Sequence, residues 1–126
     1  MNKFVAIGRL PRPAVVNGTE EKVVKFTLAC CHGHDRAKHR DLVSYVPCVV
    51  FQPGPELLEL LTEDWQGLVI ELEGHVATSK FVSEGHTRYS TEVVVDKNRI
   101  RMVPELEALP FNETQKAADA FKGKAA

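Results

Sequence analysis

The sequence predicts an all-β domain, a five-stranded Greek-key barrel with one short helix between its third and fourth strands. Two observations carry this. From Leu68 to Val95 run two extended segments, LVIELEGHVATSKF and TRYSTEVVV, joined through the polar VSEGH connection. In the first, Ile70, Leu72, Gly74 and Val76 alternate with Glu71, Glu73, His75 and Ala77; in the second, Tyr89, Thr91, Val93 and Val95 share a side. Period-2 alternation with many β-branched residues describes half-buried strands, and Gly85 in the connection makes them a hairpin. The second observation is that helical spacing occurs in just one stretch of the predicted barrel, Leu57, Leu58, Leu61 and Trp65 after Pro53-Gly54-Pro55.

In chain order, Lys3 to Gly8 alternates weakly and reads as a first strand ending near Leu10, before Pro11 and Pro13. Asn17-Gly18 is a turn signal, after which Val24, Phe26 and Leu28 alternate with Val23, Lys25 and Thr27 in a second strand. The stretch Cys30–Asp41, CCHGHDRAKHRD, has no aliphatic period and reads as a mobile basic loop. Ser44 to Phe51 resumes alternation, with Tyr45, Val49 and Phe51 on one face and Val46, Cys48 and Val50 on the other. Pro47 cannot donate to a ladder, so it implies a bulge or an edge turned away from a partner. The helix follows, about three turns ending at Gly67, with its acids on the face opposite the leucines. After the hairpin, Lys97-Asn98 reads as a turn and Arg99 to Val103 as a short last strand closed by Pro104. The order is that of an OB-fold, a small barrel whose face and loops bind oligonucleotides. Residues 1–103 are expected to form that domain and 104–126 a tail, partly helical or disordered.

Composition narrows the function. A chain of 126 residues suits one domain, and no apolar run approaches the length of a membrane span. The opening MNKFVAIGRL is too short in apolar residues for a signal peptide, so a cytoplasmic protein is expected. Three cysteines, two of them adjacent, make no disulfide framework. The net charge of -1 gives no global attraction to a polyanion. Its distribution matters more: Glu56, Glu59, Glu63 and Asp64 share one short segment, while cations sit in or beside the strands and loops. No G-x-S-x-G, H-E-x-x-H or P-loop occurs, and no catalytic or cofactor role is expected. Cys30, Cys31, His32, His34, His39 and Cys48 lack the ligand spacing of a zinc site, so no metal is expected either.

The ring residues carry the sharper expectations. Lys80, Phe81, Arg88 and Tyr89 place two rings and two cations near the hairpin tip, where a base stacked on a ring above a bound phosphate explains their company. Phe81, on the face opposite Val76, is expected to stack; Tyr89, sharing a face with Val93 and Val95, is expected in the core. Trp65, at helical spacing with leucines, is expected to be structural. From the residues alone Phe51 leans toward the core, and Tyr45 fits either role.

Five pieces in order, MNKFVAIGRL, FTLA, VVF, IELEG and RYSTEVVV, make the first 103 residues resemble bacterial single-stranded DNA-binding proteins. The resemblance implies an OB-fold, a homo-oligomer (a tetramer, with a dimer as the alternative) assembled partly through the first strand, and sequence-tolerant binding of single-stranded DNA in replication, recombination or repair. By position it makes Tyr45, Phe51 and Phe81 base-stacking rings, with His34 a weaker fourth platform. Arg9, Arg12, Lys25, Arg36, Lys38, Arg40, Lys80 and Arg88 are the candidate phosphate contacts. Where that family carries an acidic tip ending in proline-phenylalanine, this sequence reads FKGKAA. The departure leaves a second reading, an adaptor similar to primosomal replication protein N that mainly contacts replication proteins.

Overall fold

A computed structural model describes residues 1–104; the expected tail lies outside the described residues. Its strands are β1 (Phe4–Arg9), β2 (Val15–Asn17), β3 (Val23–Asp35), β4 (Arg40–Phe51), β5 (Val69–Ser83) and β6 (His86–Met102), with a helix α1 (Pro55–Glu59) between β4 and β5. They form one sheet in the order β1-β5-β6-β4-β3-β2, closed into a barrel where Arg9 of β1 pairs with Ala29 of β3. β4 and β6 run parallel through Cys48↔Val93 and Val49↔Val94; every other pairing is antiparallel.

The inward residues of the alternating runs make the core: Val24, Phe26 and Leu28 of β3, Cys48 and Val50 of β4, Ile70 and Leu72 of β5, Val93 and Val95 of β6. Leu61 and Trp65 complete it from the helix side, so Trp65 is structural. Pro55 sits in the first turn of α1, where its missing N–H costs nothing. The expected three α-turns are instead one α-helical turn followed by a π-helical turn, Leu60–Asp64, in which Trp65 N donates to Leu60 O at 2.8 Å. Backbone bonds from Ala14 N to Leu61 O and from Gly67 N to Leu10 O tie this segment across the barrel end.

Burial pushes the Cys48 thiol up to about 12, the neighbouring Cys30 adding to the effect. Unfolding would release that proton above the ordinary thiol value of 9.0, so the neutral thiol stabilises the fold fully below pH 9. That contribution falls away as pH climbs through about 12, by at most ~1.4 kcal/mol per pH unit. Denaturant melts between pH 8 and 10.5 should therefore show the native chain losing stability faster than Cys48→Ala. Parallel losses would show that the thiol contributes nothing.

Four further expectations are corrected. Cys30–Asp41 is not a loop: β3 continues to Asp35 and β4 starts at Arg40, in register from Cys30↔Ser44 out to Asp35↔Arg40 with a bulge between Cys31 and Gly33. The turn is held by Asp35 Oδ1, which accepts from the N–H groups of Ala37 (3.1 Å) and Lys38 (3.2 Å). A ribbon wetted on both faces needs no apolar alternation, which is why the pattern vanished. Second, Val15–Asn17 adds a short strand against β3. Third, Lys97-Asn98 is not a turn but part of an outward bulge. Leu72 pairs with Ile100 and Gly74 with Val95, leaving Asp96 to Arg99 opposite Glu73 alone, and β6 runs on to Met102. The Lys3 ammonium beside Glu73 and, more weakly, Arg99 hold that carboxyl below the usual carboxylate range. Fourth, Tyr89 is not in the core; it is 68% exposed. Pro47, by contrast, sits in an unbroken register with Thr27, one residue before β4 begins to pair with β6, so its imino side adjoins an unpaired stretch rather than a bulge.

Candidate nucleic-acid interface

Parity sorts the site. In a strand, successive side chains point to opposite faces, and directly paired residues share one. Because Cys48 and Val93 point into the core, Tyr45, Pro47 and Phe51 of β4, Lys25 and Thr27 of β3, and Arg88 and Glu92 of β6 all point outward. Phe81, paired with Arg88, joins them. The unbroken register past Pro47 keeps Tyr45 and Phe51 on one face, as their six-residue spacing requires.

An open groove of about 610 Å³ lies on this outer face. Tyr45, Pro47, Lys25, Thr27 and Glu92 line it, and Pro11, Arg12, Pro13 and Val15 from the β1–β2 segment wall it. Tyr45 is 67% exposed, Phe51 49% and Phe81 45%. Large rings left this open are not supporting the barrel, and a flat ring beside a cation has the chemistry to stack a base. Phe51, for which the residues alone suggested core, is on the outside because β4 ends there and its face is the outer one.

Two arms flank the groove at its Tyr45 end. One is the β3–β4 ribbon, carrying Arg36, Lys38 and Arg40 around its turn and His34, whose Nδ1 lies 2.9 Å from Asp41 Oδ1. The other is the β5–β6 hairpin, turned by Glu84 (φ 52°) and Gly85 (φ 76°). Two successive positive φ values give the tight turn whose twist suits long antiparallel strands. The parallel β4–β6 register, carried outward, sets Tyr45 level with Ser90, two residues short of Arg88. Along the other direction Phe51 stands roughly 20 Å from Tyr45 at the rise of an extended strand.

The candidates therefore divide by place. Tyr45, Arg12 and Lys25 are in the groove, although Lys25 is shared with Glu92 at 3.5 Å. Phe51 shares the outer face but does not line the groove, Phe81 and Arg88 lie on the outer face of one arm, and His34, Arg36, Lys38 and Arg40 on the other arm. Lys80 sits on the hairpin face opposite Phe81. Arg9 is not part of the groove wall: its Nη1 donates to the Gly67 carbonyl. The acids of the helical segment, Glu56, Glu59, Glu63 and Asp64, are exposed and none of them lines the groove. Sequence reasoning named Arg12 but missed Pro47, Thr27, Pro11 and Pro13 as groove residues. Pro47 had a signal: a proline sharing parity with Tyr45 offers a flat apolar ring without an N–H to satisfy.

Comparison with known proteins bears on this geometry. The sequence model of the Single-strand binding protein family matches residues 1–103. A curated protein named Single-stranded DNA-binding protein, from Staphylococcus epidermidis (strain ATCC 12228 / FDA PCI 1200), is 26% identical over 97 residues, covering 76% of this chain and 72% of that protein. Among solved structures, that titled "Plasmodium falciparum SSB complex with ssDNA" superposes with a TM-score of 0.62 at 20% identity, covering 82% of this chain and 93% of that one. At that identity the structural likeness speaks for the fold.

Proposed function

The chain belongs to the single-strand binding protein family, and from that premise we propose that it binds and protects single-stranded DNA in replication, recombination or repair. The observation that carries the reading is Tyr45: a ring two-thirds exposed, lining a groove that also holds Arg12 and Lys25. Bases stack on Tyr45, Phe51 and Phe81, and phosphates meet Arg12, Lys25 and Arg88 along the outer face. Arg36, Lys38 and Arg40 extend the positive surface along the β3–β4 arm, with His34 an added platform there. Stacking tolerates any base because every base has a π-face, and phosphate contact is sequence-independent, so binding is sequence-tolerant.

Residues 1–103 are the DNA-binding unit in this reading, and the protein works as a homo-oligomer in the cytoplasm without a catalytic step. Among the described residues no helix is long and apolar enough to cross a membrane. The matches above support this reading and lend nothing to the primosomal adaptor.

The test is fluorescence anisotropy of a labelled oligo(dT) titrated at low and high salt. Tight binding at low salt is expected, with log K falling by about 0.7 per decade of salt for each phosphate neutralised. No binding at low salt would sink the reading. The chain's sole tryptophan, Trp65, is 8% exposed in the core, so its emission should barely change when DNA saturates the protein. Strong quenching would place the site near the helix instead.

A further inference from the structure

We propose that the β5–β6 arm binds single-stranded nucleic acid on both of its faces, with Tyr89 and Lys80 forming a second ring-and-cation pair behind Phe81 and Arg88. The inference rests on the single-strand-binding reading and deepens it. Lys80 pairs with Tyr89 and Phe81 with Arg88 in consecutive positions of the same ladder. Neighbours along a strand point to opposite sides, so the two pairs stand back to back. The Thr78 and Thr91 hydroxyls, 3.3 Å apart, share the Tyr89 face and mark the same register.

Both rings are open to solvent, Tyr89 at 68% and Phe81 at 45%. The arm itself stands clear of the barrel. β1 pairs with β5 no further out than Gly74, and β4 pairs with β6 only at Val93 and Val94. The Asn2 side chain caps the β5 edge at Val76, donating to its carbonyl (2.6 Å) and accepting from its N–H (3.0 Å). Beyond that point neither edge of the arm has a strand partner among the described residues, so a flexible strand can turn from one face to the other.

Charge chooses the occupant. The outer part of the Tyr89 face carries Lys80 and no carboxylate, whereas Glu92 lies on the Phe81 face and Glu84 at the tip. A face with a cation, an open ring and no acid suits a polyanion with π-faces. A second copy of the chain is the poorer fit. The exposed apolar members, Val76, Val82 and Tyr89, are interrupted by Thr78, Lys80 and Thr91, and the face is far smaller than the roughly 20–30 residues a side of a stable protein interface.

The test uses trypsin's own cuts. Cleavage after Lys80 and after Arg88 separates the peptide Phe81–Arg88 from Tyr89–Lys97. The full chain is cross-linked by ultraviolet light to a bromodeoxyuridine-substituted oligonucleotide of about 30 nucleotides, long enough for several OB-fold site sizes. Both peptides should carry nucleotide, and fragmentation of the second should place the adduct on Tyr89 rather than on the groove-facing Ser90 or Glu92. Tyr89→Ala should weaken binding of the same oligonucleotide about 5- to 150-fold, with an unchanged melting midpoint because the ring is exposed. Cross-links confined to Phe81–Arg88, with Tyr89→Ala at native affinity, would overturn this inference and leave the groove reading standing. A changed oligomeric state in Tyr89→Ala at native affinity would also overturn it, assigning the face to self-association. Failure of the native chain to bind at all would remove the groove reading as well.

Discussion

Gly74→Ala should cost about 3 kcal/mol or more and lower the melting midpoint by roughly 10 °C or more, the largest stability effect expected of a glycine-to-alanine change among the described residues. The reason is the bulge. Gly74 pairs with Val95 at the point where β6 swings out around Glu73, and the two backbones close in there. A Cβ on Gly74 would stand 2.9 Å from the Val94 carbonyl carbon and 3.0 Å from Val95 Cα, and nearer still to the Val94 carbonyl oxygen. Those are backbone atoms, with no rotamer to yield, so β5 and β6 must part at the centre of the core beside Leu72 and Val93. Against a total stability of ~5–15 kcal/mol this is severe. Gly54→Ala is the control: its φ is -64° and nothing lies within 4 Å of the added carbon, so it should melt like the native chain. Equal melting of Gly74→Ala and the native chain would refute the close approach.

Replacing Tyr45, Phe51 and Phe81 together by alanine should weaken oligo(dT) binding at least about 100-fold while the fold survives. Each ring is worth ~1–3 kcal/mol per stacked base, and losses on one continuous strand accumulate. Stability should hold because all three are at least 45% exposed and none belongs to the core. Phosphate contact is a separate contribution. The triple variant should keep the native dependence of log K on log salt, whereas Arg88→Ala should lower the slope by about 0.7. A triple variant within a few-fold of native affinity would mean that bases do not lie on this face.

What the sequence made legible was face, and what it hid was depth. Alternation placed Val24, Phe26, Leu28, Ile70 and Leu72 in the core, and the same parity put Tyr45 with Phe51 and set Phe81 apart from Val76. For Tyr89 parity was right and the conclusion wrong. It shares a face with Val93 and Val95, but the barrel ends at Val93 and the strand runs on into solvent. The β3–β4 arm was invisible for a related reason. A hairpin solvated on both faces is held by its ladder and an Asx turn, neither of which writes an apolar period. Charge was legible as a list and not as a field: Lys25 is held by Glu92, and Arg9 is turned to a backbone carbonyl, which only register and packing disclose.

A competition separates this account from simple polyanion binding. Stacking on open rings needs unstacked bases, which a duplex hides, while its phosphates remain available. Labelled oligo(dT) bound to the native chain at low salt should be displaced by unlabelled single strands and left in place by the same length of duplex at about 100-fold higher concentration. Displacement by duplex and single strand at equal concentrations would contradict the central claim.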